Sequence, residues 1–256
     1  MHFWHTRWRH HETAAPEHMK AWERAAIALL WLLHGHGLIA LMHREAGIYF
    51  SFAIALSLML WLAVLIYWLE SFKARMEGLQ PLVLPLAAVC AVLPAVFPQT
   101  HLVANPEAIG FRFHFLTAML AYSLLTLAAL HAIFMGYAEQ KLHARSLTRF
   151  LLSLPPLMSM ETLLFRMLAL GFSLLTIAVG SGLFYAEAIF GTPLRFDHKT
   201  TFSLLSWAIF GLLLLGRHYL GWRGRLALRW TLTGFGTLLL AYIGSRFVLE
   251  VLLSRA

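Results

Sequence analysis

Residues 25–43 read AAIALLWLLHGHGLIALMH, with His34 and His36 near the middle and His43 at the end. The run has about the length that crosses a bilayer. Ionisable groups are costly in hydrocarbon, and where they persist a functional role is the default reading. An imidazole at that depth can ligate a metal or haem iron, pass protons, or hydrogen-bond to a neighbouring helix. Two residues correspond to about 200° of helix rotation, so His34 and His36 face nearly opposite ways and cannot ligate one centre from the same side. One is expected to face the bundle interior and the other to meet a neighbouring helix. Gly35 and Gly37 leave room beside the imidazoles for a helix or a flat ligand.

The elements that must position these groups are legible from hydropathy. The chain is 60% hydrophobic and only 12% charged, a departure from soluble composition in the direction of lipid. Seven apolar runs of near-spanning length fall at about 25–43, 49–69, 80–98, 113–137, 163–186, 201–219 and 227–249, and each is expected to be a helix, which satisfies its own backbone groups in lipid. With the N-terminus inside, fourteen of the twenty Lys and Arg lie on the inner side. The six outer ones are Arg44, Arg112, Arg195, Lys199, Arg246 and Arg255. The expected fold is therefore all-α, a polytopic transmembrane helical bundle of about seven spans, N-in and C-out. It divides into a polar, His-rich leader at 1–24 and one transmembrane domain at 25–253. No A-x-A-like site follows the first apolar run, so a cleaved signal peptide is not expected.

The formal charge of +8 sits mainly between apolar runs. Membrane lipid with an anionic headgroup is the expected partner, and nucleic acid is not. The lone Cys90 lies in an apolar run and reads as a small buried hydrophobe. The leader MHFWHTRWRHHETAAPEHMK has five histidines, open to a metal or haem role or to a plain interfacial tail. Pro155 and Pro156 mark a break before the fifth helix. Glu161 then lies near that helix's start, where a carboxylate suits the positive end of the dipole, and reads as structural.

Topology assigns depth. His34 and His36 lie near mid-membrane, His131 in the inner half of the fourth helix, and His218 at the inner end of the sixth. His114 opens the fourth helix on the outer side, near His101 and His43, and His198 lies in the outer loop before helix six. The histidines thus form an inner and an outer group. Zinc or copper usually adds acidic or thiolate ligands, and no carboxylate pair sits in these helices. Two imidazoles from separate helices, among aromatic and aliphatic neighbours, suit a bis-His haem better. No Ser-His-Asp arrangement, CxxCH or phosphate-cradling loop is present, and the GSG at 180–182 reads as packing.

Three stretches carry a family likeness. HFLTAMLAYSLLTLAALHA begins with His114 and contains Ala121-Tyr122-Ser123. LPPLMSMETLLFRM runs into GSGLFYAEAIFGTPLRFDHKTTFSLLSWAIFGLLLLGRHYLGWRGR. AYIGSRFVLEVLL follows near the C-terminus. Over about residues 24–253 the chain resembles the CcsA/CcmC cytochrome c assembly family, in its YpjD/HemX-like branch. The resemblance implies a protein of the bacterial inner membrane that carries non-covalent, b-type haem toward apocytochrome c. It implies that His114 is the outer ligand opening a helix, that His218 lies near the family's histidine at the inner end of helix six, and that His34, or failing it His36, is the early intramembrane histidine. The ligands to haem iron would then come from His34, His114 and His218. Phe196-Asp197-His198-Lys199-Thr200, with Trp207 beyond, matches the tail of the haem-presenting outer loop, which brings Asp197 and Trp207 into the cofactor site. The sequence departs from the family pattern in having no tryptophan in 187–200 and no histidine after His218.

The reading these features favour is a haem-holding protein for cytochrome c maturation or related haem handling. It would work with other maturation proteins or an apocytochrome and without a bond-making step of its own. The alternative is a haem-free transporter or regulatory subunit whose histidines pass ions or protons. The four prolines of PLVLPLAAVCAVLPAVFP suit a broken transporter helix. A b-type carrier exchanging electrons with quinone ranks last, because the histidines are not regularly paired in depth.

Overall fold

The computed structural model describes residues 19–44, 47–72, 79–98, 101–103, 106–143, 156–184, 198–244 and 247. Seven helices account for nearly all of them: α1 Ala21–Met42, α2 Phe52–Glu70, α3 Gln80–Val96, α4 Ile109–His143, α5 Leu157–Phe184, α6 His198–Leu220 and α7 Gly224–Leu239. Three short strands, β1 His43–Arg44, β2 Gly47–Phe50 and β3 His101–Leu102, pair antiparallel in that order. The protein is an all-α polytopic membrane bundle. Helices α1, α2, α4, α5 and α6 are each long and apolar enough to cross a membrane. The 17 residues of α3 stand at the short end of the spanning range. Helix α7 continues into a π-helical turn, Leu240–Gly244.

Local chemistry sets the helix boundaries. The amide of Lys20 donates to Glu23 in the first turn of α1 at 3.1 Å, which places a carboxylate at the positive helix end. Ser51 caps α2 by accepting from the amide of Ile54 at 3.2 Å. Pro81 sits in the first turn of α3, where a missing N–H costs nothing. Pro85 and Pro94 lie inside a helix that stays continuous, so the proline-rich third run is not the broken helix of a transporter site.

Helix α4 is the central post. Its spanning window is 78% buried, and it packs against α5, α2 and α7. Gly171 of α5 lets the side chain of Leu125 on α4 approach to where a Cβ would stand, the close helix contact that small residues allow in lipid. Tyr122 reaches across to donate to the carbonyl of Leu238 at 3.0 Å, just before the π turn. Ser206 of α6 donates to the carbonyl of Gly234 on α7 at 2.9 Å. Most buried apolar residues form one core around α4, including Tyr67, Leu125, Leu164, Leu168 and Phe210. A smaller core of Leu38, Phe50, Ile54, Ala55 and Met119 fills the half nearer the strands. Cys90 is a free thiol buried in the main core, as its apolar context implies.

The chain runs up and down, so the two ends differ in composition. One end collects Arg24, Ser71, Glu139, Glu161, Arg217 and Arg225, joined by contacts between helix termini. The other carries the strands, with His43 and His101, and the starts of α4 and α6. The first is the base-rich side that the charge count puts inside.

Candidate functional site

Each imidazole has a distinct setting. His34 of α1 faces α2 and is half-buried, its Nε2 2.8 Å from the hydroxyl of Ser57. One turn away, Trp31 and Trp61 stack with ring centroids 4.6 Å apart. Their indole N–H groups exchange bonds: Trp31 donates to the carbonyl of Trp61 at 3.0 Å, and Trp61 to that of Trp31 at 2.8 Å. The Trp61 ring lies on Gly35, 2.8 Å from where a Cβ would stand. The room beside His34 is therefore taken by the neighbouring helix. His36 lies on the opposite, exposed face.

His114, in the second turn of α4, packs against the outer end of α5. Its Nδ1 is 3.0 Å from Ser181 Oγ, and its Cε1 lies 3.2 Å from the Cβ position of Gly182. Ser181 also donates to the carbonyl of Ala178 at 3.0 Å, and that carbonyl bonds His114 as well. A hydroxyl and a main-chain carbonyl of α5 thus orient the imidazole, as outer hydrogen bonds orient metal-ligating histidines. Of Gly180-Ser181-Gly182, which the sequence presents as packing residues, Gly182 does pack against His114, and Ser181 also orients the imidazole. A Gly-Ser-Gly facing a histidine across two helices becomes a signal only once their pairing is known.

The outer group gathers at one end. His101 pairs with Phe50 across β2 and β3, and Phe50 meets Phe115, the neighbour of His114, edge to face at 5.2 Å. His43 pairs with Ile48 across β1 and β2. Lys199, beside His198 in the first turn of α6, lies within electrostatic range of His114. Trp207 of α6 donates to Thr176 Oγ1 on α5 at 2.9 Å and stacks on Phe172 at 5.8 Å. Asp197 and the loop before it lie outside the described residues, as does most of the polar leader.

The remaining candidates are dispersed. His218 is exposed in the last turn of α6, edge-on to Tyr219. Helix α1 packs mainly on α2 and the strands, whereas α6 packs on α5 and α7, so His34 and His218 stand on different flanks. His131 is buried; its Nε2 lies 2.9 Å from the carbonyl of Met160, while Nδ1 has no hydrogen-bond partner among the described residues. Among the described residues no three His, Cys, Asp or Glu side chains gather as a metal cluster.

The base-rich end works differently. Glu161 is buried, pairs with Arg217 at 2.6 Å, and lies 3.7 Å from Arg223. Its second oxygen accepts from the amide of Gly224, the first residue of α7, at 3.4 Å. It therefore serves the positive end of α7 as well as lying near the start of α5. Arg217 also lies over Phe165 at 4.5 Å.

This arrangement coincides with a sequence family. The model of the cytochrome C assembly protein family matches residues 22–253. The chain belongs to this family. The inner membrane protein YpjD of Escherichia coli (strain K12) is 33% identical over 177 residues, 68% of this chain and 65% of the relative. An uncharacterised 28.8 kDa protein of Azospirillum brasilense is 33% identical over 180 residues, 68% of this chain and 66% of its own length. The cytochrome c biogenesis protein CcsA of Thermosynechococcus vestitus is 38% identical over 86 residues, 34% of this chain and 27% of the relative. The chain thus spans slightly less than two thirds of YpjD and about a quarter of CcsA. No solved structure matches it. With several helices of spanning length and a relative named for the inner membrane, this family member is a multi-pass protein of the bacterial inner membrane.

Proposed function

We propose that this protein holds haem at the outer end of its bundle in cytochrome c biogenesis or related haem handling. The observation that carries the reading is His114. Its Nδ1 lies 3.0 Å from Ser181 Oγ, and Gly182 keeps one flank of the ring clear of a side chain; with Nδ1 as the donor there, Nε2 would carry the lone pair that iron requires. The residues present fit the cofactor: an imidazole oriented by a hydroxyl, with the phenyl groups of Phe50 and Phe115 nearby. Haem would supply redox-active iron. The chain's own part is to bind, orient and exclude water, without a bond-making step of its own.

Within this reading His114 would be one ligand to the haem iron. His43, His101 and His198 share its end of the molecule and are the candidates for the other. Trp207, held by Thr176 and Phe172 farther along α6, and Asp197, outside the described residues, are the further residues that the family likeness adds. His34, beside Ser57, is the candidate for a second, intramembrane haem position, while His36 and His218 are less well placed because both are exposed. The partners would be an apocytochrome and other maturation proteins, met at the outer face.

The test is an absorption spectrum of the detergent-purified protein, oxidised and dithionite-reduced, beside His34→Ala, His36→Ala, His114→Ala and His218→Ala. A Soret band that is lost in His114→Ala and kept in His218→Ala is the expected result. A protein that stays colourless after expression with added haem overturns the reading and returns the histidines to the ion- or proton-passing alternative.

A further inference from the structure

Helix α1 carries two seams at three- and four-residue spacing, with one imidazole in each. Ile27, Trp31, His34 and Leu38 form the seam facing α2. Leu29, Leu32, His36 and Ile39 form the other, continued toward the N-terminus by Trp22. These apolar members are 57–63% exposed. Only 17% of the spanning window of α1 is buried, against 78% for α4.

Exposed leucines in a membrane helix need no explanation, because lipid covers them. His36 does. It lies about 7 Å along the axis from the midpoint of α1, well inside a hydrocarbon core about 30 Å thick. No hydrogen-bond partner for it is found among the described residues. Lipid tails offer neither donor nor acceptor, so a polar side chain at this depth is expected to meet protein. Beside it, a Cβ placed on Gly37 would meet nothing within 4 Å, which leaves the helix flank open to close approach.

We propose that this face of α1 is a self-association surface. Two copies pair α1 against α1 in parallel, and His36 of one meets His36 of the other. A second copy is the occupant that the chemistry favours. Copies inserted in the same orientation share depth, so a two-fold axis along the membrane normal brings like residues together. A neutral imidazole is both donor and acceptor, and two of them form an N–H···N bond. One polar group in an apolar seam is also the device that fixes register between paired helices. The pairing uses His36, which the proposed haem site does not require: His34 and His114 lie elsewhere, so pigment and association can be lost separately.

The test uses the full chain in membranes, in a Cys90→Ala background. Single cysteines replace Leu29, Leu32 and Ile39 on the proposed seam, Ile27 and Leu38 on the α2 side, and the exposed Leu212 of α6 as a collision control. After oxidation, a product of twice the chain mass is expected at 29, 32 and 39, several-fold above 27, 38 and 212. Adding His36→Leu should lower that yield several-fold, whereas His36→Asn, which keeps donor and acceptor, should retain much of it. Monodisperse elution of both variants shows that they fold. Equal yields at all six positions, a cross-link to a protein of another mass, or an unchanged yield in His36→Leu would overturn the proposal.

Discussion

The two ends of the bundle are held by opposite kinds of chemistry. At the base-rich end, charges close the helix termini: Glu161 with Arg217 and Arg223, and Glu139 with Arg225 at 3.3 Å. Trp68 and Arg24 add bonds to main-chain carbonyls of Arg24 and Ser71. At the other end the described ion pair, Glu107 with Arg112, is exposed and local, and the ties between elements are hydrogen bonds and rings. An imidazole meets a hydroxyl, phenyl rings meet edge to face, and three short strands join the loops. A buried ion pair resists loss of either partner, because the other is left charged and unpaired. A neutral imidazole can exchange its contacts for an iron atom without stranding a charge. The first end is closed by charge; the second is where, on the proposed reading, a ligand would be taken.

That contrast can be broken most severely at Glu161. Glu161→Ala leaves Arg217 without its partner and the first amide of α7 without its acceptor, and about 3 kcal/mol of stability should be lost. Thermal unfolding in detergent would register this, and an unchanged Tm would mean the charges do not hold this end. Gly216→Ala tests the same end by packing. A Cβ would stand 2.4 Å from the Trp222 ring, and overpacking of that kind costs roughly 1–3 kcal/mol. At the outer end, Gly182→Ala sets a methyl 3.2 Å from His114. Stability should fall by no more than about 1 kcal/mol, but any haem spectrum should shift as the imidazole is turned. Ser181→Ala removes one neutral hydrogen bond worth about 1 kcal/mol. Haem retention should suffer more than Tm does, and the reverse order would make Ser181 merely structural. The smallest effect belongs to Glu107→Ala, which removes only its exposed pair with Arg112 and should move Tm by less than about 0.5 kcal/mol equivalent.

Much of the fold was legible because apolar run length reports bilayer thickness directly. The seven expected runs and the seven helices coincide, yet their ends differ where hydropathy stops measuring helicity. Helix α4 was expected at 113–137 and runs Ile109–His143, because a helix continues through Gln140 and Lys141 once it has left the hydrocarbon. The last run, read as one segment over 227–249, is a helix to Leu239 and then a π turn. No hydropathy signal marks that change of pitch.

The site was legible only in part. Helical spacing alone required His34 and His36 to face opposite ways. It did not say which faces inward; Ser57 and the Trp31–Trp61 exchange on α2 decide that, because they give His34 a partner and seat an indole on Gly35. Residue type and family resemblance singled out His114, but Ser181, 67 residues away, became its partner only through the packing of α5 on α4. Glu161 read as serving its own helix, and its bonds also go to Arg217 and Gly224. By itself the sequence determined the number of helices, the faces within each one, and the side of the membrane that carries the bases, since these depend on period, length and charge along one chain. Which faces meet, and so which partner each histidine finds, was decided only by tertiary structure, because those bonds form between residues that no local pattern relates.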